Sequence, residues 1–137
     1  MDTPALRQQL DAVLARYKLE AHRDSTVSAL AQGVRKLLDI AMAVVSRPRI
    51  LLLDEPTSGI SVEEKFDFMD IVMDALKEDG VTVLFVEHDM EIVARYVSRV
   101  LAFYQGEIIA DMPPKKALSD KKVQEFVIGK EHHKRKK

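Results

Sequence analysis

Two short apolar runs separated by a single amphipathic helix constrain this chain more than any other feature. The first, Ile50-Leu51-Leu52-Leu53, lies between Pro48 and the acidic pair Asp54-Glu55. The second, Val81-Thr82-Val83-Leu84-Phe85-Val86, is rich in β-branched residues. Runs this short, bounded by breakers, predict strands buried on both faces. Between them Ser61 and Glu64 have the spacing of a capping box, and Val62, Phe66, Met69, Val72, Met73 and Leu76 continue at helical spacing to a stop at Gly80. Strand, helix and strand in this order predict a parallel α/β sheet. Such sheets place ligands beyond the carboxyl ends of their strands, where the polar residues of this sequence fall.

The flanks follow the same logic. Thr3-Pro4 reads as a cap and first turn, and Leu6, Leu10, Val13, Leu14 and Tyr17 extend a helix to about Tyr17. After a polar stretch from Lys18 to Ser28, Val34, Leu37, Leu38, Ala41, Val44 and Val45 mark a second helix that Ser46-Arg47-Pro48 ends. Beyond the second strand the expectations are a short helix over Met90–Tyr96 and a hairpin of 100–104 with 107–110 turning at Gln105-Gly106. Pro113-Pro114 then reads as a break before a last helix around Val123–Val127, and Lys130–Lys137 as a basic, disordered tail. A tail of this kind can touch anionic lipid or nucleic acid, but a solvated end is the commoner reading. His132-His133 has no companion ligands at metal-binding spacing.

Composition narrows the chemistry. With 137 residues the chain is one compact domain or a piece of a larger one. Twenty-one basic against 22 acidic residues, a net charge of -1, ask for no nucleic-acid partner. The absence of cysteine excludes thiol catalysis and thiolate metal sites. The opening Met1-Asp2-Thr3-Pro4 has neither the basic region nor the apolar run of a signal peptide, and no apolar stretch is long enough to span a bilayer, so a soluble protein is expected.

Asp54-Glu55 at a strand end can divide labour. One carboxylate can hold a largely hydrated Mg²⁺, and the other can orient and deprotonate a water attacking a phosphoryl group. Alone, the pair reads equally well as an ordinary acidic strand end feeding a turn. Glu87-His88-Asp89 follows the second strand and is expected on the same edge. A histidine there can donate to a γ-phosphate, although a lone loop histidine is more often simply solvated. The two segments together, one crossover helix apart, favour chemistry.

In these motifs the chain resembles the ATPases of ABC (ATP-binding-cassette) transporters. Ile50-Leu51-Leu52-Leu53-Asp54-Glu55-Pro56-Thr57-Ser58 is similar to their Walker B segment and following loop, and Glu87-His88-Asp89 to their switch-histidine loop. The stretch 100–109 resembles the hairpin that follows, and Leu30-Ala31-Gln32-Gly33-Val34 lies where the family has its Leu-Ser-Gly-Gly-Gln signature. All motifs occur in family order, up to about Gly129. The resemblance implies a P-loop NTPase-like α/β core, parallel-sheeted, with part of the family's helical subdomain and a C-terminal hairpin. The expected division is 1–47 for the helical part, 48–129 for the ATPase core and 130–137 for the tail. It also implies that Asp54 assists Mg²⁺ binding, Glu55 is the general base and His88 contacts the γ-phosphate. Leu30, Ala31, Gln32 and Gly33, with Ser58 and Gly59, would face ATP held by a partner subunit, at a helix N-terminus suited to phosphate. ATP with Mg²⁺, a second ABC ATPase subunit and transmembrane permease subunits are the implied ligands and partners, at the cytoplasmic face of a membrane.

The departures are specific. Ala31 replaces the signature serine, Gln32 its first glycine and Val34 its glutamine; only Leu30 and Gly33 match. Ser58-Gly59-Ile60-Ser61 stands for the usual Ser-Ala-Leu-Asp, losing an aspartate. No G-x-x-x-x-G-K-[ST] occurs; the one Gly-Lys pair, Gly129-Lys130, has no loop or helix to suit. The family's glutamine loop and earlier strands are absent too. The chain is therefore expected to be a truncated product or fragment beginning inside the helical subdomain, inactive as an ATPase alone. The loose signature and the Val123-Gln124-Glu125-Phe126-Val127-Ile128-Gly129 ending look most like ATPases of branched-chain amino acid importers. Two alternatives stand beside the enzyme segment: a module that pairs with a full-length ATPase and completes or blocks its site, and a piece too short to fold stably, its strand edges left open.

Overall fold

The structure, a computed structural model, describes residues 3–129. The basic tail, with His132 and His133, lies outside the described residues. The chain separates into two compact units, Met1–Val86 and Glu87–Lys137.

In the first unit, helix α1 spans Pro4–Arg16, and the Thr3 hydroxyl accepts from the Leu6 N–H at 3.2 Å, the expected cap. Two short 3-10 turns, Glu20–His22 and Val27–Ala29, occupy the polar stretch before α2, Gln32–Val45. Ion pairs of Arg23 with Asp11 and of Arg16 with Asp79 and Glu78 fasten α1 within the unit. Strand β1, Ile50–Asp54, leads through a turning loop to α3, Lys65–Glu78, and then to β2, Thr82–Val86. The capping box forms, since the Glu64 N–H donates to Ser61 Oγ at 3.3 Å while Ser61 Oγ donates to Glu64 Oε2 at 2.8 Å. Regular helix nevertheless begins only at Lys65, because residues 62–64 turn first. Gly80 closes the helix with φ 65°, a conformation that favours glycine.

Strands β1 and β2 pair in parallel, Ile50 opposite Thr82 through Asp54 opposite Val86, so both end at one level. This is the expected α/β crossover. The expected burial on both faces does not occur. Leu51 is buried and Leu53, Val83 and Phe85 are half-buried, but Ile50, Leu52, Leu84 and Val86 are 62, 70, 55 and 64% exposed. Side chains alternate across a strand, and here only one face of a two-stranded sheet is covered. The core of the unit is elsewhere: α2 buries Leu37, Ile40, Ala41 and Val44, and α3 buries Phe68, Met69, Val72, Ala75 and Leu76, the two helices packing together.

In the second unit, α4 spans Met90–Tyr96. Strands β3, Val100–Tyr104, and β4, Glu107–Met112, form the antiparallel hairpin, with a bulge at Ala102/Phe103. Gln105 and Gly106 both have positive φ, 50° and 84°, as a two-residue turn matching strand twist requires. Pro113-Pro114 does not break the order: Pro113 caps α5, Pro114–Ser119, where a proline in the first turn forfeits no helical hydrogen bond. A turn at Lys121–Val123, capped by Asp120, widens into a π-turn over Gln124–Ile128 where a plain helix was expected. Ala102, Ala110 and Val123 form a small core with Ile109, Met112 and Ile128 against it. No helix among the described residues is long and apolar enough to cross a membrane.

Candidate functional site

The carboxyl end of β1 carries the acidic pair. Asp54, the last strand residue, is exposed and pairs in register with Val86. The Glu55 N–H donates to the Val86 carbonyl at 2.9 Å, extending the ladder by one bond. At Glu55 the backbone then turns into the left-handed region, φ 45°. For a residue with a Cβ that conformation costs about 1–2 kcal/mol, and it persists only where surrounding contacts hold it. The turn breaks the strand's alternation, so the two neighbouring carboxylates leave the chain in different settings, Asp54 exposed and Glu55 half-buried.

The loop that follows is folded back on itself. Ser58 N–H donates to the Glu55 carbonyl at 3.0 Å and Ile60 N–H to the Thr57 carbonyl at 3.1 Å, two successive turns. Pro56 and Thr57 are buried, while Ser58 and Gly59 are exposed, and Gly59 takes φ 76°.

The first turns of α2 lie over this loop. Leu30 is buried, Ala31 is the N-cap without a side-chain hydrogen bond, and Gln32 and Gly33 open the helix. A Cβ at Gly59 would sit 2.9 Å from Gln32 Cδ, so the Gln32 side chain occupies the space beside that glycine. One turn further on, Lys36 Nζ donates to the Pro56 carbonyl at 3.0 Å and more weakly to the Glu55 carbonyl at 3.4 Å. Arg35 Nε donates to the Leu30 carbonyl at 3.1 Å, tying down the entry to the helix. Leu30–Gly33 and Ser58-Gly59, which the sequence reads as separate segments, are thus brought together. Lys36 was missed; its only sequence signal is its position four residues after Gln32, on the same helix face.

His88 belongs to the second unit, two residues after Val86. Its side chain is exposed, and its loop is held from below: Glu87 Oε1 accepts from the His88 and Asp89 N–H groups at 3.2 and 3.3 Å. Asp89 Oδ1 in turn accepts from Glu91 and Ile92 at 3.0 and 3.4 Å, capping α4.

Among the described residues no group of three or more His, Cys, Asp or Glu is placed to hold a metal ion. Asp54 with Glu55 is a two-carboxylate donor set. It fits Mg²⁺ that keeps most of its water and shares a substrate's phosphates, and not an ion caged by protein alone.

A parallel β–α–β unit with an acidic pair at its strand end, preceded by a helix whose first turns reach the loop after that pair, is the α/β arrangement this site is built on. The family model described as ABC transporter matches residues 2–58. The energy-coupling factor transporter ATP-binding protein EcfA3 of Clostridium perfringens is 31% identical over 118 residues, 86% of this chain and 41% of that protein. A putative ABC transporter ATP-binding protein of Onion yellows phytoplasma is 34% identical over 115 residues, 84% of this chain and 19% of its own length. Among solved structures, cbiO1 of Clostridium perfringens, part of the ABC transporter complex cbiONQ, matches with TM-score 0.78 and 31% identity, over 90% of this chain and 50% of that one. A nucleotide-free ATP-binding cassette from an ABC transporter matches with TM-score 0.80 and 30% identity, over 93% and 52%. The chain spans about half the length of these solved relatives and less of the curated ones.

Proposed function

We propose that this chain supplies the hydrolytic portion of an ABC transporter's ATP-binding domain. The observation that carries the proposal is the Asp54-Glu55 pair: one carboxylate at the open end of a parallel strand, the next re-aimed by a left-handed backbone. Mg²⁺, when bound, neutralises phosphate charge as the terminal phosphoryl group is transferred. Asp54 helps hold that ion's water shell. Glu55 orients the attacking water and accepts its proton, and His88 donates to the terminal phosphate. Leu30, Ala31, Gln32 and Gly33, with Ser58 and Gly59, face the nucleotide of a second ATPase subunit. Two such subunits work beneath transmembrane permease subunits at the cytoplasmic face. The cargo we assign is a branched-chain amino acid, supported by the loose signature and the Val123–Gly129 ending; uptake of labelled leucine by the assembled transporter tests it.

In a domain of full family length carrying this segment, Glu55→Gln is expected to lower turnover at least about 10³-fold while Mg-ATP binding persists. Unchanged turnover would sink the assignment of Glu55 as base.

A second reading rests on the signature-like segment, in which only Leu30 and Gly33 match the family pattern. A module of this kind would pair with a complete ATPase and modify its composite site. Submillimolar Mg-ATP affinity of the isolated chain contradicts that reading, and ATP-dependent association with a complete relative supports it.

A further inference from the structure

We propose that Lys36 is a positioning residue for Glu55, fixing the left-handed backbone from which that carboxylate leaves the sheet. The inference rests on the reading of Glu55 as general base. Glu55 and Gly59 both have positive φ, at the start and the middle of the loop after β1, and one stripe of α2 touches both places. Gln32 lies against Gly59, and Lys36, one turn later, reaches the carbonyls of Glu55 and Pro56. An ammonium has three donors and no acceptor, so it can serve two carbonyls at once, as no neutral side chain of that length does.

The carbonyls it serves flank the strained turn. A change of Glu55 to an ordinary negative φ would re-aim its carbonyl and break both the Lys36 contact and the Ser58 N–H bond to the same oxygen. Lys36 is half-buried, so its charge acts on the loop at short range without full solvent screening. The grip also runs the other way. Leu30–Gly33 and Lys36 share one rigid helix, so displacement of the α2 N-terminus moves the backbone under Glu55.

Lys36→Met keeps the stem and removes the ammonium, and Lys36→Arg restores the charge. By NMR of the full chain, Glu55 should show the strong intraresidue HN–Hα contact of a positive φ. In Lys36→Met that contact should weaken and Ser58 amide exchange should quicken about tenfold or more, with both recovering in Lys36→Arg. In a domain of full family length, Lys36→Met should lower kcat about 10- to 100-fold, as a misplaced catalytic group does, with KM for ATP held within about twofold. Unchanged Glu55 geometry and Ser58 exchange in Lys36→Met overturn the proposal, and so does an unchanged kcat where Glu55→Gln abolishes turnover. If Glu55→Gln itself leaves turnover intact, the base assignment fails, and the NMR measurements alone decide whether Lys36 sets the turn.

Discussion

Glu55 adopts φ 45°, a left-handed backbone, and that strain was invisible in the sequence. The motif Asp54-Glu55-Pro56 announced two carboxylates and a turn, but the hand of the turn is set by contacts from α2, twenty residues earlier. Tyr17 is an opposite case, legible in kind but not in cost. It ends the apolar stripe read for α1 and is 1% exposed, whereas Leu6 and Leu10 of the same stripe are exposed. Its hydroxyl has no hydrogen-bond partner among the described residues. Burial, reinforced by the charge of Asp79 and opposed by Arg16, holds its pKa above the ordinary tyrosine value. Tyr17→Phe keeps the ring and deletes the unsatisfied group, so a gain of about 1 kcal/mol is expected. Thermal unfolding measures it as a rise of a few degrees. A loss of similar size would show that the hydroxyl is paired in solution.

Elements with chemical punctuation at their ends were legible. Thr3-Pro4 and Gly80 mark helix boundaries by a side-chain acceptor and by a left-handed glycine, and the structure uses each in that way. The hairpin was legible for the same reason, since Gln105-Gly106 supplies the two positive φ values its turn needs. It is further fixed by Arg99, whose Nε and Nη2 donate at 2.7 Å to the two oxygens of Asp111. That pairing holds the Asp111 carboxyl below its usual range, so its support is present above the ordinary carboxylate pKa and fades as acid protonates it. Helix α5 was missed because two prolines were read as a break when one of them sits where a helix tolerates it best. The start of α2 lacks punctuation: Ala31 already has cap geometry, φ -61° and ψ 156°, but no side-chain acceptor. Ala31→Ser should therefore stabilise the first unit by about 0.5–1 kcal/mol, read from denaturant unfolding. No gain would mean that Arg35 and Gln32 already satisfy that end.

At the scale of the molecule, what the sequence misjudged is how much of the sheet is covered. An apolar strand predicts that something packs on it, but the partner's presence is not written in the strand. Here Ile50, Leu52, Leu84 and Val86 face outward from a two-stranded sheet, in a chain that matches only about half the length of its solved relatives. Parallel sheets are ordinarily covered on both faces, so this one carries the apolar signature of cover on a face that is open. The exposure is directly measurable. Leu52→Lys removes apolar surface from that face without opening a cavity, so unfolding free energy should change by no more than about 0.5 kcal/mol, as for other exposed positions. Large apolar patches drive association, so the same variant should self-associate less than the parent chain in sedimentation velocity. A covered Leu52 gives the opposite pair of results, a loss of about 2–5 kcal/mol, as for a buried leucine, and no change in association state. Because β1 ends at Asp54-Glu55, that measurement also reports whether the strand presenting the acidic pair stands on a half-open sheet or a closed one.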